Sequence, residues 1–154
     1  MIRPVTPRLE LLSRGTVQVA PAIVVGRTPF GERRTVPILS GRFEGRLNAE
    51  VVPGGADWQI IAADGTSRLE AHYVLRTMDG ALIYVRNTGV RHGDPNVLAR
   101  IAAGEAVDPA EYYFRSTPVF ETADPRYAWL NKTVILCSGA RTIDSVLIDF
   151  YEVL

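Results

Sequence analysis

Hydrophobic and polar residues alternate with a period of two over much of the chain, the signature of half-buried β-strands. The cleanest stretch runs from Ser67 to Met78, where Leu69, Ala71, Tyr73 and Leu75 interleave with Arg68, Glu70, His72 and Arg76. One face of that strand is therefore apolar and the other mostly charged. Asp64-Gly65 precedes it and Asp79-Gly80 follows it. Both dipeptides accept positive φ, so strands over Trp58–Ala63, Ser67–Met78 and Ala81–Thr88 are predicted to form a meander, with a type I′ turn at Asp79-Gly80. The C-terminal part repeats the pattern, with strands over Thr133–Ser138 and Ser145–Val153 connected through Gly139 to Asp144.

Upstream, Leu9–Val25 is rich in β-branched residues but interrupted by Pro21, which a sheet tolerates only at an edge, a bulge or a corner. Arg34–Phe43 predicts a further strand, and Gly41 and Gly45 fall where a barrel wall must bend. Helix is scarce. Asp94-Pro95 opening Asn96–Gly104 predicts one short helix, and Asp124–Leu130 predicts a single turn after Pro125. Eight or more strands with so little helix predict an all-β fold. The expected form is a closed antiparallel β-barrel, lipocalin-like in outline, with one or two short helices, because closure removes exposed edges. A two-sheet sandwich is the alternative.

At 154 residues, with 47% hydrophobic and 22% charged, the chain suits one domain over 1–154 with a single core. Lysine plus arginine equals aspartate plus glutamate at 17 each, so no net field attracts phosphate backbones or an anionic bilayer. Nucleic acid and membrane are thus not expected partners. The longest apolar runs, such as Thr133 to Cys137, fall well short of the roughly 20 residues a spanning helix needs. Cys137 is the single cysteine and cannot form an internal disulfide, and the N-terminus lacks the features of a signal peptide. A cytoplasmic location is expected. Lys132 is the only lysine; arginine suits bidentate carboxylate recognition but is also favoured by high-GC coding.

Five spaced motifs carry a resemblance: Gly41-x-Phe43-x-Gly45, Pro53-Gly54-Gly55-Ala56-Asp57-Trp58, Asp79-Gly80, Tyr113-Phe114-Arg115-x-x-Pro118-x-Phe120-Glu121-Thr122 and Tyr127-x-Trp129-Leu130-Asn131. Over nearly its whole length the chain resembles the domain of unknown function family 3237. Asn48-Ala49 before Val51 departs from the glycine-containing turn expected there. The resemblance implies a small antiparallel β-barrel and names no activity or catalytic residue.

Several residues qualify for chemistry. Pro53-Gly54-Gly55 reads as a Pro-Gly turn rather than a phosphate cradle, since strand follows it instead of a helix. Asp57, between those glycines and Trp58, is a candidate general base if partly desolvated, or a residue that merely accepts backbone hydrogen bonds. Arg115 is its candidate partner as an oxyanion stabiliser, with Tyr113 on the same face and Glu121 or Asp57 as counter-charge; a structural ion pair is the competing reading. Tyr73, Trp58, Trp129 and Asn131 complete the candidate ligand-binding set, Trp129 and Asn131 as a rim offering stacking and hydrogen bonding. His72 falls on the charged face and is expected to be exposed. No metal is expected, because His72, His92 and Cys137 lack ligand spacing, and Cys137-Ser138-Gly139 is not a nucleophile elbow. No cofactor is expected either. The expectation is a small-molecule ligand, aromatic or carbonyl-bearing, held in the barrel. Three classes follow: a cofactor-free enzyme of proton transfer, isomerisation or cyclisation, a passive binding protein, or a homo-oligomeric module with a filled barrel.

Overall fold

A computed structural model describes all residues, Met1 to Leu154. Nine strands follow the alternation: β1 (Leu9–Val19), β2 (Ile23–Thr28), β3 (Gly31–Gly45), β4 (Ala49–Ile61), β5 (Ser67–Thr77), β6 (Leu82–Gly93), β7 (Tyr112–Glu121), β8 (Ile135–Arg141) and β9 (Ser145–Val153). All neighbours are antiparallel in the order β1-β9-β8-β7-β6-β5-β4-β3, and β1 pairs back onto β3 to close an eight-stranded barrel. The sandwich alternative is thereby set aside. Pro21 lies in the corner between β1 and β2, and β2 is an outer ribbon paired only with the first part of β3.

Long β3 makes the closure. Its residues 31–35 pair with β2 and its residues 38–45 with β1. At this change of partner the β3–β4 ladder loses register between Pro37 and Arg42, and β4 answers with its own shift between Val52 and Ala56. Pro53-Gly54-Gly55 therefore forms a bulge inside a continuous strand, with Gly54 at φ +115°, and not a turn between strands. A proline lacking its amide is tolerated where the ladder is already broken.

The hairpin turns also differ from expectation. No residue other than glycine has positive φ, whereas a type I′ turn needs two such residues. At Thr77–Ala81 the Gly80 amide donates to the Thr77 carbonyl at 3.0 Å and the Thr77 amide to the Ala81 carbonyl at 2.8 Å, with Gly80 at φ +92°. This is a three-residue loop, a type I turn closed by a left-handed glycine. Ala62–Thr66 repeats it with Gly65 at φ +85°.

Helix α1 (Pro95–Ala102) begins at Asp94, whose carboxylate accepts from the Asn96 amide at 2.8 Å. Pro125–Lys132 forms a 3₁₀ segment capped in the same way by Asp124, and a shorter, unanticipated one spans Pro109–Glu111. Strand β8 extends to Arg141, so only Thr142–Asp144 remain as the final turn. No helix is long and apolar enough to cross a membrane.

The larger part of the core fills one end of the barrel. Phe43, Phe120 and Phe150 fill that end with Leu12, Leu47 and Leu130. Phe43 stacks on Phe150 at 4.9 Å, and Phe120 meets Phe150 edge-on at 5.2 Å. Each such side chain contributes roughly 1.5–3 kcal/mol by leaving water. At the other end α1 leans over a smaller cluster of Leu69, Ile101, Val107, Tyr112 and Phe114.

Candidate functional site

Between these two clusters the barrel encloses a cavity of about 510 Å³, within the range of small-molecule sites. Its position follows from the inward faces of the strands. Along β6 these run Ile83, Val85, Asn87, Gly89, Arg91; along β5 they run Leu75, Tyr73, Ala71, Leu69, Ser67. Apart from Leu69, the inward residues thus change from bulky and apolar to small or polar on approaching the α1 end, which leaves space between the two clusters.

Asp57 reaches this cavity from β4, directly after the bulge. Its carboxylate accepts from the Gln59 side-chain amide at 2.6 Å and from the Glu70 backbone amide at 3.1 Å. Gln59 in turn accepts from Arg34 Nε at 2.7 Å. Asp57 is half-buried in the cavity wall, and burial pushes its carboxyl above the usual carboxylate range. The bonds from Gln59 and Glu70, then the charges of Arg91 and Arg34, oppose that rise without cancelling it.

Arg34, Arg91 and Arg141 share the cavity wall. Burial pushes Arg91 down to about 10, and the like charges of Arg34 and Arg141 push the same way. Burial likewise lowers Arg34 and Arg141. Tyr73, on the inner face, is raised by burial and keeps its proton as a donor. Cys137 is raised to about 11 by burial, so its thiol stays protonated and is no nucleophile.

The remaining predicted residues lie elsewhere. On β7 the inward face is Tyr112, Phe114, Ser116, Pro118 and Phe120, which turns Tyr113, Arg115 and Glu121 outward. Alternation grouped Tyr113 with Arg115 correctly, but apolar Phe114 and Phe120 claim the interior. Outside, Arg115 packs 5.7 Å from the Tyr113 ring centroid and Tyr113 stacks on His92. Trp58 is outward and 49% exposed, since its neighbours Asp57 and Gln59 take the inner face. Trp129 and Asn131 sit on the 3₁₀ segment at the packed end. Arg46 covers the Trp129 ring, and Asn131 ties down Thr122 with bonds of 2.8 and 3.0 Å. His72 is half-buried on the outer face, bonded to Tyr84 and to Glu70. The structure thus brings Asp57 and Tyr73 together and separates them from Arg115, Trp58, Tyr113, Glu121, Trp129 and Asn131.

Sequence reasoning missed Arg34, Arg91, Arg141 and Asn87. Arg91 lay beyond the predicted end of its strand at Thr88, while β6 continues to Gly93. Carrying the alternation from Val85 through Asn87 and Gly89 would have placed Arg91 inside.

An eight-stranded antiparallel barrel, with a cavity between two packed clusters and buried charges in its wall, is the class these features define. The chain belongs to the family described as protein of unknown function DUF3237, which matches residues 7–153. It is 41% identical over 152 residues to a UPF0311 protein of Rhodopseudomonas palustris, covering 97% of this chain and 99% of that one. The crystal structure of a conserved protein of unknown function from that organism superposes with a TM-score of 0.92 at 39% identity, over 98% of this chain and 100% of that one. A β-barrel-like protein of Acinetobacter baumannii gives 0.88 at 40% identity, over 100% of both chains. More distantly, a hydroalkoxylation enzyme of Penicillium herquei is 26% identical over 129 residues, covering 84% of this chain and 72% of that one.

Proposed function

We propose that this barrel is a small-molecule enzyme carrying out cofactor-free proton transfer, isomerisation or cyclisation on an aromatic or carbonyl-bearing compound, with Asp57 as general base. The observation that carries the proposal is the Asp57 carboxylate in the cavity wall, raised by burial and facing cationic side chains. A raised pKa makes a stronger base, and an adjacent guanidinium stabilises the oxyanion that develops when a proton leaves carbon or oxygen. Arg91 takes the role expected of Arg115. The relative in Penicillium herquei adds support, because hydroalkoxylation, addition of an alcohol O–H across a double bond, is itself proton-transfer chemistry.

A passive binding protein would use the same cavity without a tuned carboxylate. The filled-barrel module fits less well, since a cavity remains between the two packed clusters. A cytoplasmic location and self-association belong to the same proposal, and analytical ultracentrifugation reads the latter. The enzymatic reading is tested by proton NMR in D₂O with aryl ketones bearing acidic C–H groups. The native protein should catalyse deuterium incorporation into at least one of them, and Asp57→Asn should not. Binding without exchange would point to the passive reading.

A further inference from the structure

Three guanidiniums and one carboxylate are the charged groups lining the cavity. Behind the wall Glu32 also acts on Arg34 and Asp144 on Arg141, whereas Arg91 has Asp57 as its carboxylate and is repelled by the other two guanidiniums. The three guanidiniums are unequally satisfied. Arg34 Nε donates to Gln59 at 2.7 Å and Arg141 donates to the Ser145 carbonyl at 3.0 Å. Arg91, 8% exposed, has no partner for its Nε, and its guanidinium carbon lies 5.8 Å from the Phe114 ring centroid.

Two more polar atoms are orphaned deeper in the same cavity. The Tyr73 hydroxyl and the Asn87 side-chain oxygen have no partner, on residues 4% and 8% exposed. Folded proteins satisfy nearly all such groups, so three in one cavity mark where a ligand's polar atoms belong. Asp57, Ala71 and Asn87 lie opposite one another on β4, β5 and β6. With strands about 4.8 Å apart, Asp57 and Asn87 are separated by roughly 10 Å of backbone, and only the methyl of Ala71 stands between them.

Resting on the small-molecule reading above, we infer that the ligand is an organic acid whose carboxylate seats against Arg91, with Arg34 and Arg141 around it. Its apolar body lies along Phe114, Leu69 and Val36. An oxygen at its far end meets Tyr73 and Asn87, in the space beside Ala71. A guanidinium offers a planar fork that matches a carboxylate, and the apolar wall demands an organic body in place of a bare inorganic anion.

Calorimetry on the intact protein with matched pairs, 2-naphthoate against 2-naphthamide and 4-hydroxybenzoate against 4-hydroxybenzamide, tests this. Calorimetry is needed because Trp58 and Trp129 lie outside the cavity and would report poorly. In at least one pair the acid should bind ten-fold or more tightly than its amide. Arg91→Met should erase the preference, Arg91→Lys should keep part of it, and Asp57→Asn, which removes the one carboxylate, should keep or increase it. Thermal melts show that each variant is folded. Equal binding of acid and amide, or a preference surviving in Arg91→Met, overturns the organic-acid inference and leaves the proton-transfer reading standing. No binding by any of the four compounds at millimolar concentration overturns the inference, and deuterium exchange then decides the broader reading independently.

Discussion

The Gln59 side-chain amide donates a 2.6 Å hydrogen bond to Asp57, two residues back on the same inward face of β4, while its Oε1 accepts from Arg34 Nε. One neutral amide therefore links the cavity's single carboxylate to one of its cations and holds the carboxylate in a fixed rotamer. Period-two geometry makes this i, i+2 contact available.

Gln59→Met removes the larger of the two hydrogen bonds that oppose the rise of Asp57. The Asp57 carboxyl should then titrate higher still, read as a carbon-13 NMR midpoint above that of the native protein. Arg34 Nε loses its acceptor in the same variant, so the melting temperature should also fall, by about 1–3 kcal/mol of stability. An Asp57 midpoint that stays put or drops would contradict this electrostatic account.

Asp57→Asn keeps the shape and removes the ionisable group. The thermal midpoint should stay within a few degrees of native while any turnover is lost. The pH dependence has a definite sign. Because burial raises the folded-state pKa of Asp57 above its unfolded value, the native state binds the extra proton, and stability from this group is lost as pH rises through the raised value. The variant lacks that loss, so its stability relative to native should improve from about pH 4 upward. A strongly destabilised variant, or one with full activity, would remove Asp57 from its assigned role.

Arg91→Met should stabilise the protein. Burial and like charges hold Arg91 near 10 in place of its ordinary 12.5, a penalty on the order of 3 kcal/mol. A methionine of similar length can lie against Phe114 without it. A gain of roughly 1–3 kcal/mol, several degrees in melting temperature, is expected. A variant that melts lower than native would mean that Arg91 is paired in solution.

Gly15→Ala tests the packed end. Gly15 faces Phe43 across the β1–β3 ladder, and a Cβ there would overlap the Phe43 ring. That ring is fully buried and stacked on Phe150, so it has nowhere to move. Overpacking of this kind costs about 1–3 kcal/mol, seen as a lower urea midpoint. An unchanged midpoint would show that the aromatic stack is looser than its 4.9 Å spacing indicates.

The architecture was largely legible because strand alternation, glycine turns and proline breaks are local signals. The run Ser67–Met78 predicted β5 to within a residue, and Ser145–Val153 coincides with β9. Errors arose where a local signal has two outcomes. Pro53-Gly54-Gly55 serves a turn or a bulge equally well, and only the partner change along β3 decides for the bulge. Asp79-Gly80 can close a two- or a three-residue loop, and the register of β5 on β6 selects the longer one.

For the site, the sequence by itself determined that Tyr113 and Arg115 share a face, while the pairing of Asp57 with Gln59 emerged only with the continuous strand β4. The sequence did not determine which face is inside, because a strand's two faces are interchangeable until other strands supply a core. On β7 the packing of Phe120 against Phe150 turns Arg115 out. Closure of the barrel brings Arg34, Arg91 and Arg141 to one cavity from β3, β6 and β8. Residues so far apart in the chain carry no mutual periodicity, and only the tertiary structure makes them neighbours.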